Sequence, residues 1–401
     1  MQKELVKALI ISVFIVYASL ISAQHNERPI TEAEIDSVSW QQYLAGDWDG
    51  LTETGKLARK ANIDFKWLQQ RLGYAWFVKG DYYKSRKHYQ RAIRWDDQDE
   101  ISHLYLHYNS LYTGQYQAAR YHAGKLPVLS RNADDQQLIR LLNSIDAEYA
   151  FKRPEKFYRE SELRKDAQFR RIGIHSLLGH HISLYQSVSG YVQDFDFVNS
   201  TNQLEYFGLV SAQLTTSLSA QAGYRYVGTR SLIMPDTFYT PGHSFNAQLN
   251  YNFYRFNISA MVNYFSNEYI SVNQWGLQAG VGFSGTIPVY LRSSLYSLAE
   301  QGTNALPNLV FNQTAGMLLF KRIWLEGSVT LGEQNYFTSD DGMYFYNSQD
   351  PVVFKTGASI RTYVNQQLSF IVHYGLEKKY MNTYDEYYYQ HGLTGGIAWK
   401  L

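Results

Sequence analysis

From Gly179 to Leu401 the chain alternates apolar and polar residues with a period of two, segment after segment, and no other feature limits its fold as much. In an extended strand successive side chains point to opposite faces, so sustained alternation puts a different solvent on each side of a sheet. Within 243–253, Phe245, Ala247, Leu249, Tyr251 and Phe253 share one face, while Asn246, Gln248, Asn250 and Asn252 share the other. Trp275, Leu277, Ala279, Val281 and Phe283 oppose Gly276, Gln278, Gly280, Gly282 and Ser284 in the same way. Leu368, Phe370, Val372, Tyr374 and Leu376 oppose Ser369, His373, Gly375 and Glu377, with Ile371 the exception. A soluble sandwich usually shows Lys and Glu on its outer faces. Here the polar face is largely Asn, Gln, Ser, Thr and Gly, which suits a sheet closed on itself in lipid around a polar interior.

Segments of this kind fall near 180–193, 203–214, 217–230, 243–254, 257–268, 272–285, 288–300, 308–320, 323–336, 352–364, 367–379 and 389–401. They predict an antiparallel transmembrane β-barrel of about 12 strands, an even number as outer-membrane barrels require. Very short turns are expected around Thr216, Arg255, Lys321 to Arg322 and Asn365 to Gln366, and longer connections at Asp194 to Asn202 and Thr338 to Pro351. Short periplasmic turns and long outer loops are the usual asymmetry, and both barrel ends then face the periplasm. The chain closes on Gly395, Gly396, Ile397, Ala398, Trp399, Lys400 and Leu401. This resembles the terminal-strand signal of bacterial barrels, from which Leu401 departs because the usual last residue is Phe.

The region before the barrel reads as delivery and attachment. Lys3 and Lys7 precede an apolar run from Ala8 to Ser22, the pattern of a secretory signal peptide (residues 1–23, cut after Ala23). It is short for a membrane span. A linker (24–34) leads to an internal repeat: Ala45-Gly46-Asp47-Trp48, Lys79-Gly80-Asp81-Tyr82 and Thr113-Gly114-Gln115-Tyr116, spaced by 80 − 46 = 34 and 114 − 80 = 34 residues. That is the period of a helix pair in which small residues let helices approach and aromatic rings fill the gap. Leu72, Gly73, Ser85, Tyr89 and Ala92 complete the middle unit, and His107 replaces the small residue in the third. Over 35–127 the chain therefore resembles the tetratricopeptide repeat family, with Gly46, Trp48, Gly80, Tyr82, Gly114 and Tyr116 as the defining positions. Leu138, Leu141, Leu142, Ile145 and Tyr149 continue a helical period and predict a capping helix over 132–150. The expected domains are thus repeats with their cap (35–153), a linker (154–178) whose charged stretch 155–171 lies at the periplasmic rim, and the barrel (179–401).

With net charge +1 and no basic or acidic tract, nothing points to nucleic acid or disorder. The absence of Cys excludes a disulfide framework and a Cys-borne lipid anchor. His181 and Ser183 lie two apart on one strand, as nucleophile and base do in outer-membrane lipid hydrolases, but they point to the lumen near the periplasmic rim, where a lipid-cleaving site would not be. His175, His180 and His181 lack a fourth ligand and a metal-site spacing. No catalytic residue, metal ligand or cofactor is assigned, and the reading is non-enzymatic. The alternation instead turns Arg225, Arg292, Glu326, Lys355, Arg361 and Glu377 into the lumen, either as a plug of paired charges or as a selective constriction. Phe238 and Tyr239, Tyr344 to Tyr346, and Tyr384 with Tyr387 to Tyr389 are expected at the outer rim, mostly as an interfacial girdle.

The domain order resembles that of polysaccharide-export porins, whose barrels are generally larger. The resemblance implies envelope transport or export, with a periplasmic or outer-membrane protein partner held by the repeats, outer-membrane lipid around the barrel and an exported polysaccharide as a candidate cargo. The alternatives are a closed-lumen anchor of a secretion or assembly machine and, last, a lipid-modifying enzyme.

Overall fold

The computed structural model describes residues 30–130, 139–195, 199–233, 235–303, 305–320, 322–339, 342–348 and 350–401. The expected signal peptide and its cleavage point lie outside the described residues.

Six helices come first: α1 (Glu32–Ala45), α2 (Trp48–Lys60), α3 (Lys66–Val78), α4 (Tyr82–Ala92), α5 (Glu100–Tyr112) and α6 (Tyr116–Gly124). Their starts are written in the sequence. Thr31 and Glu34 exchange backbone and side-chain hydrogen bonds ahead of α1, and Asp47, Asp81 and Asp99 accept the backbone N–H groups of Gly50, Lys84 and Ser102 at the starts of α2, α4 and α5. Each pair turns on a left-handed residue, Gly46, Gly80 or Gly114, with φ of +69°, +75° and +73°. Glycine alone adopts that conformation without a side-chain clash, so three evenly spaced glycines mark three turns. Ile35, Leu51, Ala58, Leu68, Leu72 and Ala75 form the core of the first pairs. Further along, the Tyr89 ring sits where a Cβ on Gly73 would be, 2.7 Å away, and stacks on Tyr105 at 4.9 Å. His107 is buried and its Nδ1 lies 3.0 Å from the Ala119 carbonyl, so the third pair accommodates a larger residue through a hydrogen bond.

The strands are β1 (Ile139–Pro154), β2 (Ala167–Leu178), β3 (Ile182–Asp194), β4 (Asn199–Gln213), β5 (Leu218–Ile233), β6 (Asp236–Phe253), β7 (Phe256–Asn267), β8 (Ser271–Phe283), β9 (Val289–Glu300), β10 (Asn308–Leu319), β11 (Ile323–Gln334), β12 (Phe337–Ser339), β13 (Tyr344–Tyr346), β14 (Val352–Tyr363), β15 (Leu368–Met381) and β16 (Glu386–Lys400). All except the β12–β13 hairpin form one closed antiparallel barrel of 14 strands, in which β1 pairs with β16 from Ser144↔Lys400 to Pro154↔Gln390. The barrel face follows the alternation: Trp275 and Leu277 are 63% and 65% exposed, whereas neighbouring Gln274 is fully buried. The belt thus faces outward, where only lipid would cover it.

Three expectations are corrected. The barrel has 14 strands rather than about 12, because it begins at Ile139. The predicted capping helix over 132–150 is β1 where it is described: Ile145, Tyr149 and Phe151 point away from the interior, while Asp146, Glu148, Ala150 and Lys152 line it. The predicted linker 154–178 holds a short helix, α7 (Lys156–Glu160), and β2, and its charged stretch lies at the barrel end opposite the short turns. Both segments carry interior charges, which pair across strands: Arg171 reaches Glu148 at 2.7 Å and Asp146 at 3.6 Å, and Lys152 reaches Glu377 at 2.7 Å.

The helices dock on the short-turn end. Arg86 of α4 is buried and donates to the Tyr254 carbonyl at 2.6 Å in the β6–β7 turn, and Arg255 returns an ion pair to Asp81 at 2.9 Å. Gln90 donates to Ser217 at 3.2 Å, and Arg120 of α6 donates to the Gly179 carbonyl at 2.9 Å. Four successive turns, from β2–β3 to β8–β9, are engaged, the last through Ser284, which donates to Asp81 at 3.5 Å.

Candidate functional site

The lumen is occupied from one end and covered at the other. After β11 the chain does not run out over the rim; the β12–β13 hairpin folds inward. Gln274 of β8 donates to the Thr338 carbonyl at 2.8 Å and accepts the Thr338 N–H at 2.9 Å, matching a strand edge with a side-chain amide. Arg225 of β5 donates to the Met343 carbonyl at 3.0 Å and pairs with Glu205 of β4. Tyr344 donates to Glu148 at 2.9 Å on the opposite wall, and Asn347 donates to Gln203 at 3.1 Å. Phe265 packs against Tyr336 and Phe345, and Tyr296 against Phe337, so the hairpin brings its own apolar patch into a polar tube. Its far end is tied at the rim, where Asp350 accepts from Arg164 at 2.8 Å and from Tyr388 at 2.8 Å.

This placement overturns the girdle expectation for Tyr344 to Tyr346, which lie in the lumen. An aromatic run in a long loop looks the same in sequence whether the loop goes out or in; the signal for going in was the inward Gln274 and Arg225, which need partners. Phe238, Tyr239, Tyr384, Tyr387 and Tyr389 are exposed at the same end of the barrel, whereas Tyr388 is buried.

Beneath the hairpin remains a cavity of about 540 Å³, walled by β1 to β4, β8 to β11 and β14 to β16 together with the hairpin. Arg292, Glu326, Lys355, Arg361 and Glu377 line it, and Arg225 is engaged with the hairpin beside it. Asp146, Glu148, Lys152, Arg171, Glu205 and Lys379 join them, residues the sequence reading did not single out. Several are neutralised locally: Lys152 with Glu377, Arg171 with Glu148 and Asp146, Arg225 with Glu205. Glu326 accepts from the Tyr290 hydroxyl, Lys355 donates to Tyr346, and Lys379 donates to Ser348 at 3.0 Å. Among the described residues cations exceed carboxylates in this wall. Arg292 and Arg361 make no hydrogen bond or ion pair among the described residues.

At the other mouth a smaller space, about 190 Å³, is enclosed between Tyr83, Thr113 and Gln115 of the helices and Tyr254, Arg255, Tyr290 and Arg292 of the barrel. Arg292 and Gln278 line both spaces. The repeat-defining residues divide accordingly: Trp48 and Tyr82 pack among helix aromatics, while Tyr116 lies close enough to Tyr363 and Arg361 of β14 to feel both electrostatically.

The histidines considered for catalysis or metal are dispersed. The His181 ring sits edge-on to Tyr121 of α6 at 5.0 Å and shares no hydrogen bond with Ser183; His180 packs under Gly124, and His175 meets Asn143 at 3.3 Å. Among the described residues no three His, Cys, Asp or Glu side chains are placed to hold a metal. A different set lies within the helices. His103 and His122 touch through their Nδ1 atoms at 3.0 Å, and His88 Nδ1 lies 2.7 Å from Gln69. Burial first, then neighbouring charge, holds His122 well below the ordinary imidazole value and His88 down at about 3.

A closed, even-stranded antiparallel barrel with a lipid-facing apolar belt and a polar, charged interior is a barrel of the bacterial outer-membrane class. Several solved structures are similar to part of this chain. The CymD monoaromatic hydrocarbon channel matches at TM-score 0.43 and 9% identity, over 65% of this chain and 89% of that one. The KdgM porin in complex with disordered oligogalacturonate matches at TM-score 0.33 and 11% identity, over 64% and 99%. A bacterial polysaccharide outer membrane secretin matches at TM-score 0.38 and 11% identity, over 65% and 99%. At these identities the likeness concerns the fold alone. No family model matches the chain, and no curated protein does.

Proposed function

We propose that the protein is a non-enzymatic outer-membrane transport barrel whose lumen is gated at both ends, by the inward hairpin on the outer side and by the docked helices on the periplasmic side. One observation carries this reading: the hairpin is held by hydrogen bonds and a rim ion pair and leaves a charged cavity below it, rather than merging into a solid apolar core. We read the helices as tetratricopeptide-type repeats in the periplasm, which use the face turned away from the barrel to hold a protein partner in an export system. A polysaccharide is the cargo suggested by the domain order. The second reading, a closed-lumen anchor, draws support from the number of contacts that fix the hairpin.

Planar-bilayer recording separates the two. The wild-type barrel should pass little or no current, and removing residues 337–346 should open an anion-preferring current because cations exceed carboxylates in the wall. A bilayer that stays silent after the deletion, with the barrel still heat-modifiable, would establish the anchor.

A further inference from the structure

We propose that the periplasmic part of the lumen binds a ligand carrying at least two oxyanion groups, held between Arg292 and Arg361 beneath the Thr113 to Tyr116 turn. This deepens the transport reading and rests on it for the route by which a ligand arrives.

The lumen distributes its charges unevenly. The carboxylates of the outer and middle wall each have a partner: Asp146 and Glu148 serve Arg171, Glu205 serves Arg225, and Glu377 serves Lys152. Glu326 lies on β11 between the two arginines, and Tyr290 donates to it. Arg292 and Arg361 remain, two guanidiniums with no ion pair among the described residues, both directed into the cavity. Lys355 and Lys379 reach the hydroxyls of Tyr346 and Ser348, whereas Arg292 and Arg361 face the cavity with neither a carboxylate nor a hydroxyl partner among the described residues, and such a pair of cations attracts anions.

Their placement narrows the ligand. Arg292 is on β9 and Arg361 on β14, with β10 and β11 between them in the barrel wall. Three strand steps across, together with the 361 − 357 = 4 residues by which Arg361 lies beyond Gly357, the β14 position in line with Arg292, make about 20 Å along the wall. A single small anion cannot touch both, whereas an elongated ligand with spaced anionic groups can. A cavity of about 540 Å³ is of a size that holds such a ligand. Neutral donors stand between the charges: Arg292 pairs in register with Thr314, and Ser328 and Ser359 line the same wall. The guanidinium fork gives each end bidentate recognition of carboxylate, sulfate or phosphate. Arg292 also lines the space under the helices, and Arg361 lies near Tyr116, so an anion held here sits where the helical domain meets the lumen.

The test uses the full chain in detergent and calorimetric titration with three probes: linear tripolyphosphate, the triglutamate peptide and the neutral triglutamine peptide. The anionic probes should bind and triglutamine should not; binding of only one anionic probe identifies the natural group and supports the site equally. The double variant Arg292→Gln with Arg361→Gln should weaken anion binding about ten-fold or more while remaining heat-modifiable. The Arg292→Lys, Arg361→Lys variant should keep the larger part of the affinity, and wild-type binding should weaken with added salt. Equal binding of triglutamine, unchanged affinity in the Gln variant, or no binding of either anion overturns the proposal. If the Gln variant does not fold, loss of salt dependence in the wild type and binding by the Lys variant no tighter than triglutamine binding overturn it instead. Conductance of the hairpin-deleted barrel is recorded separately: current without anion binding removes the site and leaves transport standing, whereas anion binding without current does the reverse.

Discussion

Leu277 and Gln278 are neighbours in the chain and face different solvents, the first 65% exposed on the outer belt and the second lining the cavity. Near the middle of β8, an Arg at the first position must sit in hydrocarbon, at a cost of roughly 2–4 kcal/mol, while an Arg at the second meets water and polar side chains. Leu277→Arg should therefore lower the temperature at which the barrel loses its heat-modifiable band, and Gln278→Arg should leave it nearly unchanged; equal shifts would mean the register is off by one. At this scale the sequence was highly legible, because alternation alone decides which way a strand residue points. Arg292, Arg361 and the other inward charges of β5 to β15 could be assigned that way. The partners of those charges could not, since Arg171 and Lys152 lie in strands whose charged faces hide the pattern.

At the scale of elements, the twelve segments expected after Gly179 correspond to β3 to β11 and β14 to β16, whereas β1 and β2 were read as helix and linker. The reason is physical. Leu141, Ile145 and Tyr149 satisfy a helical period, and Asp146, Glu148 and Lys152 look like solvent-facing charge until a closed wall supplies Arg171 and Glu377. The α5–α6 pair carries a prediction of its own. His103 and His122 touch in its interior, with Arg86, His107 and Lys125 also acting on His122, and burial keeps both imidazoles neutral in the folded state. Above about pH 6.5 both folded and unfolded forms are neutral and nothing changes; below it the unfolded chain takes up protons that the folded one refuses, so stability is lost as pH falls. Five of the eight tryptophans, Trp40, Trp48, Trp67, Trp76 and Trp95, report on the helices. Fluorescence melts at pH 7.5 and 5.0 should show the helical transition moving down in acid while the barrel transition stays; a helical transition indifferent to pH would contradict neutral burial.

For the whole molecule the decisive contact is the docking of helices on turns, which the sequence could not show because each half meets its own solvent requirements alone. Arg86, Arg255 and Asp81 fasten the two parts. The chain has no cysteine, so a reporter pair can be introduced cleanly. Gln90→Cys with Ser217→Cys should be joined by a short bifunctional thiol cross-linker, because the native side chains that span the gap between these positions meet at 3.2 Å, and adding Arg86→Ala and Arg255→Ala should cut its yield several-fold by freeing buried charge contacts worth about 1.5–3 kcal/mol each. An unchanged yield would show that these arginines do not hold the domains together.

The seam between β1 and β16 also dictates the order of assembly. It joins Ser144 to Lys400, residues 400 − 144 = 256 apart, whereas every helix pair closes within its own hairpin. Contacts so distant form late, because the intervening chain must first be ordered. The helices are made before the last strand and can fold as it is still arriving. Cylinder closure therefore waits for β16, whereas the four turns on which the helices rest belong to β2 through β9 and are neighbours before the seam is made; a nascent chain stalled before β16 would carry folded helices seated on an unclosed sheet.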